Sequence, residues 1–364
     1  MEQLNKQVEF LEDKSSSGKV RDWSGKKKRN LSLAEIYMMI KESYRKIHSE
    51  KFNRFFNREE RCRMCATVLK YKRDKNGKRT LYEAYFCQLR LCPVCNWRRS
   101  LKIFSQVSKI IQAIEQDKEH AYLFLTLTQR NVSGENLEKM LDDMMYGWNK
   151  FMKYKKVKDV VKGAYRGLEI TYDKNPIITK KMYQEKKDYY QKLGLKVGDK
   201  NPNFDMYHPH FHVLIVVRKG YFTSKEYLSH EVWRELWAKA MRLDYLPQVN
   251  IKKVKGNTAE AVAEVAKYSA KDSDYVIEKD LDLSMNVVET LDYALQGRRL
   301  VSFSGIMKEW HKKLNLDDTE DGDLVHIDSE KDEELESEMT LETYAWNVGY
   351  MNYVRVYGVL ENEQ

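Results

Sequence analysis

Much of what would direct this chain of 364 residues to a particular class is missing from it. No run of about 18 apolar residues occurs, so the sequence predicts no membrane-spanning helix. The start, Met1-Glu2-Gln3-Leu4-Asn5, lacks a signal peptide's apolar core, and the expectation is a soluble cytoplasmic protein with no membrane partner. Neither an internal repeat nor a glycine-rich phosphate loop is present, which leaves no sign of an intrinsic helicase motor. Cysteine and histidine are scarce, at five and eight residues, but neither is scattered. What the chain has in excess is positive charge. The net charge of +9 and pI near 9.0 favour an anionic partner such as nucleic acid, and a 42% hydrophobic fraction is enough for a true core in two or three domains.

Three of the eight histidines stand in His208-Pro209-His210-Phe211-His212, directly before Val213-Leu214-Ile215-Val216-Val217. A run of β-branched and aliphatic residues predicts a buried strand. Side chains alternate along a strand, so His210 and His212 share a face with Cα atoms about 6.6 Å apart. Two imidazoles at that separation can share one divalent ion, whereas isolated core or surface histidines would have no reason to cluster.

The cysteines form two knuckles, Cys62-x-x-Cys65 and Cys92-x-x-Cys95, with Cys87 between them. In a reducing compartment such pairs argue for structural Zn²⁺ rather than disulfides. Residues 68–72 and 80–86 are strand-like, and Asn76-Gly77 supplies the positive φ of a tight hairpin turn, which together predict a zinc-ribbon-like element. Tetrahedral zinc needs four thiolates, and Cys62, Cys65, Cys92 and Cys95 provide them; Cys87 is surplus, or replaces one of the four. A basic helix opens directly afterwards, and its Arg98, Arg99 and Lys102 either lie along DNA phosphates or are simply solvated.

The middle of the chain predicts a topology. Residues 122–128 are a strand, and Leu137, Leu141, Met144, Trp148 and Phe151 then recur at helical spacing. A second strand covers 164–172, and the histidine strand is third. A helix with a capping-box start at Thr223-x-x-Glu226 and an apolar face of Leu228, Val232, Leu236 and Ala240 follows, then a fourth strand over 248–255. The order β-α-β-β-α-β is the ferredoxin-like split arrangement, which seats the histidine strand beside the one carrying Glu169. Glu169 is then the natural third metal ligand, with His208 as its competitor. Gly256-Asn257-Thr258 punctuates before a further helix over 259–271, where Glu264 and Tyr268, four residues apart, share a face with Lys271 nearly beneath. Between the second and third strands, Lys180, Lys181, Lys186, Lys187 and Lys192 alternate with Tyr183, Tyr189 and Tyr190, either as an exposed insertion or as a track for single-stranded DNA.

This constellation resembles the replication initiators of small rolling-circle plasmids of Gram-positive bacteria, within the HUH endonuclease superfamily. The likeness covers most of residues 55–310. It rests on Phe124-Leu125-Thr126-Leu127-Thr128, Gly167-Leu168-Glu169-Ile170-Thr171, His208-Pro209-His210-Phe211-His212-Val213-Leu214, Leu91-Cys92-Pro93-Val94-Cys95-x-Trp97-Arg98-Arg99 and Glu264-x-x-x-Tyr268. The resemblance implies an α+β fold: a ferredoxin-like, RRM-like HUH endonuclease sheet, a catalytic-tyrosine helix after it, and an N-terminal zinc-ribbon-like element before it. It further implies that Tyr268 is the nicking nucleophile and that Glu264 stands where a two-tyrosine enzyme has its second tyrosine. His210, His212 and Glu169 would hold Mg²⁺ or Mn²⁺, and Lys271 would add positive charge near the phosphate. The implied partners are plasmid origin DNA, duplex and single-stranded, with a host helicase and DNA polymerase. The competing readings are a relaxase or single-strand transposase of the same superfamily, a non-catalytic zinc-ribbon regulator, and a hydrolytic phosphoesterase.

The expected organisation is a basic N-terminal arm and helix over 1–55, the zinc-ribbon-like element with its basic helix over 56–118, the HUH catalytic domain over 119–315, an acidic linker over 316–340 and a C-terminal segment over 341–364. The +9 charge predicts salt-dependent DNA binding, with log K falling against log salt by about 0.9 for each duplex phosphate neutralised. Titrations at several salt concentrations check this, and a slope near zero would remove the electrostatic basis of nucleic-acid binding.

Overall fold

Residues 8–15, 18–254, 262–263, 266, 272–277, 280–327 and 339–357 are described by the computed structural model, and they form an α+β structure with two antiparallel sheets. The strands in chain order are β1 (Val68–Arg73), β2 (Arg79–Ala84), β3 (His120–Leu127), β4 (Gly163–Asp173), β5 (Met206–Arg218), β6 (Val249–Lys253), β7 (Val301–Gly305), β8 (Thr340–Asn347) and β9 (Asn352–Val356). No described helix is long and apolar enough to cross a membrane. The chain divides into two units, Met1–Ser105 with Asp317–Gln364, and Gln106–Leu316.

In the first unit the sheet order is β2-β1-β8-β9. The Asn76-Gly77 turn closes β1 on β2, with Gly77 at φ +82° and Asp74 Oδ1 accepting from the Asn76 and Lys78 amides. The aromatic-rich segment near the C-terminus supplies β8 and β9, and β8 pairs along the whole of β1. Glu342 of β8 is buried and receives Arg79 at 2.6 Å and Arg73 at 3.1 Å. Burial opposes its ionisation, but these guanidinium hydrogen bonds hold the carboxyl below its ordinary range. The helix Trp23–Tyr44 begins inside the stretch expected to be a basic arm, capped by Asp22, and it packs on the helix Ser49–Met64 through Tyr37 and Phe55. Lys27 and Asn30 are buried, donating to the carbonyls of Arg63, Cys65 and Cys62.

The helix Pro93–Ile114 corrects one expectation. Arg98, Arg99 and Lys102 are 2%, 0% and 2% exposed, so they do not present their charge to DNA phosphates. Arg98 donates to the Leu324 and Val325 carbonyls, Arg99 to Glu320 O, and Lys102 to Asp317 Oδ2 at 2.7 Å. A buried cation requires partners, and residues 317–325 supply them as carbonyls and a carboxylate. The start of the expected acidic linker is therefore folded against this helix.

In the second unit the order is β6-β3-β5-β4-β7, with every neighbouring pair antiparallel. β5 thus lies between β3 and β4, and β7 adds a strand that the sequence reading did not expect. Phe211 meets Trp148 and Trp237, and Phe151 packs against Trp233 and Trp237, so the helices Gly134–Phe151 and His230–Met241 cover one face of the sheet. His208, His210 and His212, one position out of phase, project to the other face. A second correction concerns the helix after β5. It is capped by Ser229, whose side chain accepts from Val232 N, while Lys219–Thr223 forms a separate 3₁₀ turn. Leu228 and Ala240 of the expected apolar face are buried, Leu228 lying before the helix starts, but Val232 and Leu236 are not, and Trp233, Trp237 and Met241 complete the buried face, with Trp237 meeting Phe211.

Arg99→Ala is expected to destabilise the first unit by about 3 kcal/mol, since the Gln88, Leu89 and Glu320 carbonyls would lose their buried donor. Urea denaturation reads this, and an unchanged midpoint accompanied by weakened DNA affinity would restore the phosphate-contact reading.

Candidate metal centres

Two groups of side chains are arranged so that each could hold an ion. The first is built on the β4–β5 ladder. Glu169 stands directly opposite His210 in register, and His212 lies two residues further along β5 on the same face. His212 Nε2 is 2.8 Å and His210 Nε2 is 3.4 Å from Glu169 Oε2, and the two Nε2 atoms are 3.1 Å apart. Ligand atoms held at about 2.1 Å from one ion are separated by roughly 3.0–3.4 Å, so the three donors already have the spacing of a facial set. His210 Nδ1 is 3.1 Å from the His208 carbonyl, which turns Nε2 towards the other two groups. Phe124 of β3 stacks on the His212 ring at 5.6 Å and fixes its plane.

All three residues are buried, and burial alone would raise the Glu169 carboxyl. The hydrogen bonds and charge of His210 and His212 outweigh it and keep that carboxyl well below the usual carboxylate range. The centre therefore combines a buried carboxylate with two buried imidazoles. A set of two nitrogens and one oxygen fits a divalent cation and leaves positions for a phosphate oxygen or water. His208, the competing third ligand, stacks on His210 at 5.2 Å but does not join the converging atoms. Burial and the neighbouring His210 push its pKa down to about 4, so it is neutral at physiological pH.

The second group lies in the first unit. Cys65, Cys87, Cys92 and Cys95 bring their Sγ atoms within 4.8 Å of one another, with Cys65–Cys95, Cys87–Cys95 and Cys65–Cys92 each at 3.6 Å. Four thiolates at about 2.3 Å from a tetrahedral zinc are separated by about 3.8 Å, close to these values. The Cys95 amide donates to Cys92 Sγ and the Cys87 amide to Cys65 Sγ, contacts that orient the sulfur lone pairs. Cys62 is buried but is not one of the four, so Cys87 takes the place that the sequence spacing assigned to Cys62. Cys62 sits in the last turn of the helix Ser49–Met64, where its carbonyl accepts from Cys65 N and Asn30, and Cys87 follows β2 back to the base of the hairpin beside the other sulfurs. Lys27 was not singled out from the sequence. Its ammonium donates to Cys65 O at 2.6 Å and so sets positive charge beside the sulfurs. Burial pushes its pKa down while Cys65 and Cys92 push it up.

The remaining expected site residues divide in two. Arg98, Arg99 and Lys102 belong to the buried network already described. Glu264, Tyr268 and Lys271 lie outside the described residues.

A family model described as a replication protein matches residues 78–354. A protein named Protein rep from Bacillus amyloliquefaciens is 40% identical over 364 residues, covering 95% of this chain and 97% of the relative. Similar proteins of the same name occur in Lactiplantibacillus plantarum, at 34% identity over 95% of this chain and 98% of the relative, and in Streptococcus pneumoniae, at 33% over 97% and 98%. No solved structure gives a significant match.

The sulfur geometry makes opposite forecasts for two cysteines. Protein purified without chelators is expected to carry about one tightly held zinc per chain. Cys87→Ser should lose it together with the stability of the ribbon, and Cys62→Ser should retain it. Elemental analysis with thermal melts checks this; loss on Cys62→Ser and retention on Cys87→Ser would return Cys62 to the ligand set.

Proposed function

The chain belongs to the replication-protein family, and from that premise we propose that it initiates plasmid rolling-circle replication by nicking one origin strand through a covalent 5′-phosphotyrosine. The observation that carries this reading is the convergence of Glu169, His210 and His212 on a central strand pair. The strand order, fourth-first-third-second within the βαββαβ set, supports the ferredoxin-like HUH assignment. Glu169, His210 and His212 would hold Mg²⁺ or Mn²⁺, and Cys65, Cys87, Cys92 and Cys95 would hold a structural Zn²⁺. An ion held by these three residues would supply Lewis-acid polarisation of a scissile-phosphate oxygen.

The chain's own residues supply the remaining chemistry. A tyrosine hydroxyl has an ordinary pKa near ~10 and must lose its proton as it attacks. Tyr268 Oη forms a bond to phosphorus while the bond to the 3′ oxygen breaks, and that oxygen takes up a proton to become a free 3′-hydroxyl. The hydroxyl is the primer for a host polymerase, and a host helicase separates the strands. At termination the regenerated origin is cut again: Glu264 accepts a proton from water, whose oxygen bonds to phosphorus as the bond to the 3′ oxygen breaks, so this cut leaves no second covalent bond, and the freed 3′-hydroxyl then attacks the first phosphotyrosine and releases Tyr268 in a strand transfer. Lys271 adds positive charge beside the phosphate. Because Glu169 is ionised and buried against both histidines, its negative charge calls for a cation or a proton shared among the three groups to compensate it.

Tyr268→Phe keeps the ring and removes the nucleophile, so nicking of a supercoiled origin plasmid and covalent attachment should both vanish while origin binding persists. His212→Ala should lower nicking by at least about a hundredfold with duplex affinity nearly unchanged. Glu264→Ala should nick and attach but fail to resolve the displaced strand. Mass spectrometry of the protein–oligonucleotide adduct, together with plasmid nicking assays and the topology of replicated plasmid, checks all three. An adduct on another tyrosine, undiminished nicking by His212→Ala, or normal termination by Glu264→Ala would each overturn the role concerned.

A further inference from the structure

The connection between β4 and β5 contains more chemistry than a loop needs. Residues 174–205 carry eight lysines, no arginine and four carboxylates, together with Tyr183, Tyr189 and Tyr190. The segment is firmly anchored. Ile178 N donates to Asp199 O, Asn201 is buried and donates to the Pro176 and Asn175 carbonyls, and Tyr190 is fully buried with Tyr183 stacked on it at 5.9 Å. Two short helices, Lys180–Glu185 and Lys187–Lys192, stand on that base. Lys186, between the two helices, and Lys187 and Lys192 on the second are exposed, and Tyr189 is 41% exposed. Among the described residues, Lys186 and Lys187 form no ion pair. A folded segment that keeps its cations unpaired and close together attracts an anion.

Its position specifies which anion. Asp173 and Met206, paired in register, close the base of the segment, and Glu169 and His210 lie four residues further along the same two strands. At ~3.3 Å per residue this is about 13 Å from the converging metal ligands. Asn203 ties the segment to the chain following β3, accepting from Asn131 at 3.0 Å and donating to the Tyr189 hydroxyl at 3.3 Å. A strand passing through the metal centre would reach the base of this segment about two to four nucleotides away, since a stacked strand carries one charge per ~3.4 Å and an extended one spans more. The choice of lysine over arginine suits phosphates rather than base edges, because an ammonium is a point charge without the fork that reads guanine.

We propose that residues 174–205 form a strand-holding flap in which Lys186, Lys187 and Lys192 bind phosphates of single-stranded DNA flanking the scissile bond and Tyr189 offers a ring for base stacking. The inference rests on the strand-cleaving reading of the Glu169–His210–His212 centre and deepens it. Lys186 is a positioning residue, acting through the strand rather than on the reacting atoms.

The test uses the full-length protein with a labelled single-stranded origin oligonucleotide and with the same sequence as duplex. The variant pair is Lys186→Glu with Lys187→Glu. The charge-matched control is Lys155→Glu with Lys158→Glu, exposed residues of the helix Lys155–Val160 that precedes the other end of β4. The flap pair should weaken single-strand binding about tenfold and reduce the salt slope by about 1.4, at about 0.7 per phosphate, while duplex affinity changes much less. In steady-state cleavage of the oligonucleotide the loss should fall on KM rather than kcat, and the control pair should alter neither. Unchanged single-strand affinity and slope would overturn the flap. So would an equal loss with the control pair, or a fall in kcat at constant KM. Lysine-dependent single-strand binding without any covalent adduct would support the flap and remove the strand-cleaving reading, so the two failures are separable.

Discussion

The register between β4 and β5 is the constraint on which the rest of the second unit depends. A strand has a side-chain period of two, so a slip of one residue would turn the histidines into the aromatic layer and expose Phe211. Such a slip is costly on both faces. Phe211 is enclosed by Trp148 and Trp237, and truncating one such buried aromatic costs about 3–5 kcal/mol. On the opposite face, Glu169, His210 and His212 are buried polar groups that satisfy one another only when Glu169 lies opposite His210. Packing energy on one side of the sheet therefore holds the ligand geometry on the other, and a rigid central strand pair positions the donors more tightly than a loop would.

The first unit is organised around buried charge. Lys27 near the sulfurs, Arg98, Arg99 and Lys102 against residues 317–325, and Glu342 between Arg73 and Arg79 are each buried and each partnered. Every one of these groups would cost several kcal/mol if left alone, so the networks stand or fall as units. Their effect on function is indirect. A chain of net charge +9 withdraws part of its cationic inventory into structure, and the charge that remains available to an anion lies elsewhere, including the exposed lysines of residues 174–205.

Much of the second unit was legible in the sequence because its signals are periodic and local. The aliphatic run after His212 marks a buried strand, the 3.6-residue stripe from Leu137 to Phe151 marks a helix, and the alternation in His208–His212 places two imidazoles on one face. Glu169 became readable once the βαββαβ order set the two strands side by side. The start of the helix after β5 differs from the expected one because Thr223 carries the capping-box spacing to Glu226 whereas Ser229 has Val232 at that position, and the packing of Trp233 and Trp237 places the helix after Ser229.

The sequence by itself determined the kinds of chemistry present: paired histidines on a strand, cysteines near a hairpin, and lysines interleaved with tyrosines between β4 and β5. Only the tertiary structure decided which members of each set act together. It chose Cys87 over Cys62, because the hairpin returns Cys87 to the sulfurs of Cys65, Cys92 and Cys95. It turned Arg98, Arg99 and Lys102 inward against carbonyls far along the chain, and it joined β8 and β9 to a hairpin formed from residues 68–84. Such choices depend on pairings between residues distant in sequence, whose geometry no local spacing encodes; the identity of a side chain states what it can bind, and the fold alone states what stands within reach.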